Sequence, residues 1–280
     1  MSERAITARD IEAYTQYLRE TEHSKATVEK YLRAINGFLA YLSGNEVTKE
    51  VMIAYKGHLT GHYSTSGVNG ALAAVNGLLT FLGWPELRVK ALRQQKRIFG
   101  TPERELSRGE YLRLLETARR KGQERLMLVM ETICATGIRV SELQFITVRA
   151  LQTGRAEVSC KGKRRVIFIP RPLAKKLLAY AKARNITRGV LFRTKSGRPL
   201  DRSNIWHDMK ALCAEAGIDG RKVFPHALRH LFARSYYALE KNLVRLADLL
   251  GHSSAETTRI YTMESGAEHA RQVARLGLVL

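Results

Sequence analysis

Apolar side chains recur at helical spacing from residue 6 to residue 82. Ile11, Tyr14, Tyr17 and Leu18 share one face of a helix expected over Ile6–Glu20, with Thr7 as its cap. The pattern resumes after Ser24 or Thr27 with Val28, Tyr31, Leu32, Ile35, Phe38, Leu39 and Leu42, and Ser43-Gly44-Asn45 ends it. Two more helices are expected over Thr48–Leu59 and Ser64–Leu82, the latter closing at Gly83-Trp84-Pro85. The first third of the chain therefore reads as a four-helix unit.

After Arg88 the periodicity fails, and it returns at Ser107. Ser107 and Glu110 form a capping-box signature, and Glu124–Ala135 is an apolar core helix that stops at Thr136-Gly137, just before Arg139. Two β-branched runs, Ala156–Cys160 and Val166–Ile169, flank Lys161-Gly162-Lys163-Arg164 and predict a hairpin. Helices follow over Pro172–Arg184 and Asn204–Ala216. Another opens at Pro225, a residue suited to a first helical turn. Leu246–Leu250 reads as the last turn of a helix stopped by Gly251, and Ser253 with Glu256 as the cap of the next. Glu264–Leu280 is expected to be a tail helix with an apolar end. The pattern predicts a mainly α protein with a small antiparallel β-sheet, an α+β chain.

Length and charge sharpen this division. A chain of 280 residues has room for about two domains. The formal charge of +21 is unevenly spread: residues 1–98 hold 13 Lys and Arg against 9 Asp and Glu, and residues 99–280 hold 34 against 17. So basic a second part points to nucleic acid or an anionic surface. Arg88–Arg104, with Lys90, Arg93, Lys96, Arg97 and Arg104, reads as a linker, either a solvated charged tail or a strap along phosphates. No apolar run approaches the roughly 18–20 residues of a membrane span. Met1–Asp10 carries no signal-peptide pattern, so a cytoplasmic protein is expected. Cys134, Cys160 and Cys213 are too scattered for a disulfide framework or a CxxC metal site.

The chemistry concentrates between Phe224 and Thr262, in PHALRH, LLGHSS and TTRIYT. His226 and Arg229, three apart, share a helical face. His252 falls in a corner between two helices, and Tyr261 lies nine residues beyond it. One Arg, two His and one Tyr near helix ends suit an anionic group, and Tyr is the evident nucleophile. His226 and His230 are spaced like zinc-binding histidines, but Ala227 stands where HExxH needs glutamate. His58 and His62 also lack a third ligand, so no metal is expected. Tyr236 and Tyr237 are explained by an apolar helix face. Arg139, beside Val140, Leu143 and Phe145, needs a partner, and Glu142 or Glu131 could pair with it.

HxxR, then GH 23 residues after that Arg, then Tyr nine further on, is similar to the C-terminal signature of the tyrosine recombinases, the lambda-integrase and Xer-like family of DNA strand-exchange enzymes. ATGIRVSEL resembles the family box that supplies a first catalytic arginine, here Arg139, and HALRH matches the second, Arg229. The family also carries a catalytic lysine on a hairpin turn. The turn here reads CKGK, with Cys160 where glycine often stands, so the resemblance implies Lys161 and leaves Lys163 as the other choice. The implied roles are two arginines and His252 on phosphate oxygens, His226 on the phosphate or taking a proton from Tyr261, and Lys161 protonating the departing 5′-oxygen. Tyr261 would attack and form a 3′-phosphotyrosyl intermediate. That chemistry needs neither metal nor cofactor.

The implied domains are a helical, SAM-like core-binding domain (1–87), a basic linker (88–104), a catalytic domain (105–263) and a C-terminal tail (264–280) that docks on a neighbouring protomer. The implied partners are double-stranded DNA with an inverted-repeat core site and further copies of the chain, as a tetramer on two sites. No membrane is implied, and an accessory or directionality factor is left open. A type IB topoisomerase-like relaxing enzyme and a DNA-binding regulator that does not cut are the alternatives. A small helical N-terminal unit and a short chain favour the recombinase over the first. A tyrosine kept with its full phosphate pocket counts against the second.

Overall fold

Four hydroxyl side chains start the first four helices of the computed structural model, which describes residues 4–94, 102–160, 163–194, 196–252, 255–261 and 274–276. Thr7, Ser24, Thr48 and Ser64 accept bonds from the first-turn N–H groups of α1 (Ala8–Glu20), α2 (Lys25–Leu42), α3 (Lys49–His62) and α4 (Thr65–Phe81). Asp10 returns the bond to the Thr7 backbone at 2.8 Å, completing a capping box. The four helices fall where the periodicity puts them. Ser24 rather than Thr27 is the cap of α2, and α3 runs three residues past Leu59. Phe38, Met52, Leu72, Val75 and Leu79 are among the residues that fill their core.

The segment after α4 stays on this bundle for several residues. Asn76 on α4 bonds both the N–H and the C=O of Val89, at 3.1 and 2.9 Å, and Asn69 does the same for Leu92, at 2.8 and 2.9 Å. Lys49 on α3 donates to the Glu86 and Arg88 carbonyls, and Lys56 to that of Lys90. Leu87 and Val89 are buried beneath. The chain divides into two compact units, one within residues 1–96 and the other within 97–280.

The second unit is built around α6 (Glu124–Thr136), whose Leu128, Val129, Met130 and Ile133 are buried. α5 (Arg108–Arg120) opens with the capping box of Ser107 and Glu110. A 3₁₀ segment, Val140–Phe145, and a short helix α7 (Val148–Thr153) follow α6; the sequence pattern predicts neither. Strands β1 (Arg155–Cys160) and β2 (Lys163–Phe168) pair antiparallel, Arg155 opposite Phe168 and Cys160 opposite Lys163. The second strand thus begins three residues before Val166, because Lys163–Arg165 join the ladder despite their charge. Lys161 and Gly162 lie outside the described residues.

Helices α8 (Arg171–Ala183), α9 (Arg202–Ala216), α10 (Pro225–Glu240), α11 (Leu243–Leu250) and α12 (Ala255–Arg259) complete the unit. α10 packs chiefly on α6, and α5 on α6 and α9. Ser253 and most of the tail from Glu264 onward also lie outside the described residues. Among the described residues no helix is long and apolar enough to cross a membrane, and no group of three or more His, Cys, Asp or Glu could hold a metal ion. The chain is mainly helical with one two-stranded antiparallel sheet.

Candidate active site

At the end of α6 the chain turns through Gly137, with φ at +65°. A Cβ there would come within 2.5 Å of the Phe232 ring and 3.2 Å of Leu250, so glycine lets α10 and α11 close over the turn. Arg139 emerges next. Its N–H and Nη1 both donate to Glu142, at 2.9 and 3.0 Å, so the ion pair expected for Arg139 forms with Glu142. Glu131 pairs instead with Lys176. Glu142 is buried and receives a second guanidinium, Arg165 Nη2, at 2.5 Å. Burial alone would push this carboxyl up, but the Arg139 N–H and the Arg165 charge outweigh it and hold it below the usual carboxylate range.

Arg229, on α10, is 1% exposed. Its Nη1 donates to the Gly137 carbonyl, and its Nη2 to the Leu250 carbonyl at 2.6 Å and to His252 Nε2 at 3.1 Å. Its Nε is buried with no hydrogen-bond partner among the described residues. Burial and the nearby Arg139 and Arg165 pull its pKa down to about 10, which leaves it charged at neutral pH. Arginine can only donate, so His252 accepts at Nε2 and carries its proton on Nδ1, 2.8 Å from Thr258 Oγ1.

One feature organises all three arginines. Arg165 donates to the carbonyl of Leu249 at 2.5 Å, Arg229 to that of Leu250, and Arg139 to that of Gly251 at 3.4 Å. These are consecutive carbonyls at the C-terminal end of α11, the negative end of its dipole. LLGH is thus a backbone mount for three guanidinium groups.

A pocket of about 600 Å³ opens beside this mount, and Arg139, Ser141, Arg202, Trp206, His226 and Arg229 are on its wall. His226 is held below its ordinary pKa by desolvation and by Arg229, Arg139 and Arg202. Tyr261 is 4% exposed. It packs edge-on against His230 at 4.6 Å between ring centroids, and face-on against His252 at 5.9 Å. Tyr236 and Tyr237 pack on the cluster that holds it, on the apolar side expected for them.

Five of the six expected positions are therefore gathered here. Arg139, His226 and Arg229 line the pocket, His252 is bonded to Arg229, and Tyr261 lies against His252. The sixth, Lys161, is outside the described residues, and β2 carries the hairpin toward Glu142 through Arg165. Sequence reasoning missed Arg165, His230, Thr258 and Arg202. Arg165 had a signal, since it alternates with the buried Ile167 and Ile169 and so belongs to the inward face of the hairpin.

The Phage integrase family matches residues 104–268, and the Phage integrase N-terminal SAM-like domain matches residues 11–86. The tyrosine recombinase XerA of Pyrococcus furiosus is 28% identical over 288 residues, covering 100% of this chain and 98% of that one. The XerH site-specific recombinase bound to its difH substrate in a pre-cleavage complex superposes with a TM-score of 0.70 at 21% identity, over 96% of this chain and 84% of that one. A lambda integrase tetramer bound to a Holliday junction gives 0.72 at 17%, over 95% and 80%. With the family matched across more than half its length, on the segment that holds every expected catalytic position, the chain belongs to the phage integrase family of tyrosine recombinases, enzymes of site-specific DNA recombination that work through a tyrosine intermediate.

Proposed function

We propose that Tyr261 is the nucleophile of this recombinase and that the pocket beside Arg139, His226 and Arg229 receives the scissile phosphate of duplex DNA. The observation that carries the reading is the meeting of these three side chains on one wall, with His252 bonded to Arg229 and Tyr261 packed on His252. Tyr261 Oη bonds to phosphorus while the bond from phosphorus to the 5′-oxygen breaks. A 3′-phosphotyrosyl link forms, and the 5′-hydroxyl leaves with a proton from Lys161. Attack by a 5′-hydroxyl of the same or a partner duplex reverses the step, so bond energy is conserved and no cofactor is consumed.

Arg139 and Arg229 neutralise the non-bridging oxygens as charge builds on them. Desolvation and the nearby arginines hold His226 below its ordinary pKa, which favours the neutral form that can take the tyrosine proton. Residues 1–87 form the core-binding domain, residues 88–104 the linker and residues 105–263 the catalytic domain, all acting on DNA in the cytoplasm. The tail from residue 264 docks on the next copy, giving a tetramer on two DNA sites.

Tyr261→Phe tests the assignment. The variant should bind target DNA as the parent does and form no covalent adduct on a nicked suicide duplex, read on a denaturing gel. An adduct that persists would move the nucleophile elsewhere, with Tyr236 and Tyr237 next to examine.

A further inference from the structure

Arg165 is a cation that the proposed chemistry leaves unused, and its setting is unusual. It projects from the inward face of β2 with 12% of its side chain exposed. One Nη donates to Glu142, 23 residues earlier in the chain, and the other to the Leu249 carbonyl, 84 residues later. Both contacts are at 2.5 Å, and both are internal to the protein. Arg139 and Arg229 line the pocket and Arg165 does not, so its two contacts serve the protein's own architecture.

The backbone opposite is shaped around it. Gly251 has φ at +62°, and a Cβ added there would lie 2.5 Å from Arg165 Cδ and 3.0 Å from its Nε. Glycine at 251 therefore both ends α11 and vacates the space that the arginine stem fills. Glu142, in turn, is shared: its other oxygen holds Arg139. One planar side chain thus joins the hairpin to the pocket arginine and to the end of α11.

We propose that Arg165 is a positioning residue that fixes the β1–β2 hairpin to Glu142 and the end of α11, and that protonation of the leaving group depends on this docking. A guanidinium suits the task because its rigid fork makes two contacts at a set angle, whereas an ammonium makes each as a point charge. The proposal rests on the reading of Lys161 as the general acid. It predicts that loss of Arg165 damages protonation of the leaving group more than it damages phosphate binding or attack.

The test is single-turnover cleavage of two suicide duplexes, one with an ordinary 5′-oxygen leaving group and one with a 5′-bridging sulfur, which departs without protonation. Arg165→Lys and Arg165→Gln should cleave the oxygen substrate about 100-fold more slowly, in the range of a lost general acid. On the sulfur substrate they should stay within about tenfold of the parent, the remainder of the acid effect being removed. DNA affinity should be unchanged, and adding Lys161→Ala should cause no further loss on oxygen. Near-parent cleavage of the sulfur substrate by the Arg165 variants shows at the same time that they are folded.

Equal loss on both substrates would overturn the proposal and make Arg165 a support of Arg139 alone. Unchanged cleavage would overturn it as well. A failure of the underlying reading is distinguishable, because Lys161→Ala in the parent chain would then be equally slow on both substrates. Such a result removes the hairpin's general acid, and the proposal with it.

Discussion

His230 and His252 have lost most of their basicity. Burial comes first in both cases, and the pKa of each is pulled down to about 4. For His230 the positive neighbours are His226, Arg234 and Arg229; for His252 they are Arg229, Arg139, Arg165 and His226. Unfolding returns each to its ordinary value near 6.5. The unfolded chain therefore binds more protons between about 6.5 and 4, so this stability is fully present above that window and is lost as pH falls through it. The slope is at most about 1.4 kcal/mol per pH unit for each histidine. Thermal melts at pH 7.5 and pH 5 should show a marked loss of stability in the parent and a smaller one in His230→Gln. Identical losses would remove His230 from the account. The residues legible in the sequence were those whose partners lie at fixed spacing: His226 with Arg229, and His252 with Tyr261. For Arg165 only the inward face was legible, because its partners are 23 and 84 residues away and only the closed fold makes them neighbours.

Among the elements, the helices of the first unit announced themselves through period and caps, while the strap at Glu86–Leu92 did not. Its sequence is cationic and aperiodic, and its order comes from side chains on other elements. Asn69 and Asn76 stand two turns apart on one face of α4 and bond the strap as a neighbouring strand would. Arg88 and Lys90 on the strap, and Arg93 just after it, are exposed. Asn76→Asp keeps the acceptor for the Val89 N–H but sets a carboxylate against the Val89 carbonyl. It should cost about 1–3 kcal/mol in urea unfolding, the range for a half-buried polar group left unpaired. Asn76→Ala should cost no more than that. An unchanged urea midpoint would mean that the strap is held by Leu87, Val89 and the lysines alone. The 3₁₀ segment at Val140–Phe145 escaped prediction for a related reason: its form follows from Arg139 and Glu142 closing on each other.

For the whole molecule, charge is the dominant fact. Residues 99–280 carry 34 Lys and Arg against 17 Asp and Glu, and a surface so basic displaces counterions when DNA binds. If about 6–10 phosphates are neutralised, affinity should fall by about 10³–10⁵-fold between about 50 and 200 mM salt. A flat titration would contradict a DNA-facing catalytic unit. Assembly is a separate matter. A chain ending after Gly266 should remain folded by circular dichroism and bind one site, yet fail to bring two sites together in size-exclusion chromatography with paired-site DNA. Normal pairing would leave the tail without a part in assembly, and unfolding would mean that it packs on its own domain. The mount at Leu249–Gly251 has a further consequence, one of safety. The three guanidinium groups arrive from the end of α6, from the hairpin and from α10, and they meet only where α11 ends. A nascent or damaged copy with any of these segments undocked lacks one of the three guanidinium groups at the mount and should cut strands far more slowly. The hazard of a DNA-cutting enzyme is thereby interlocked with the completion of its fold.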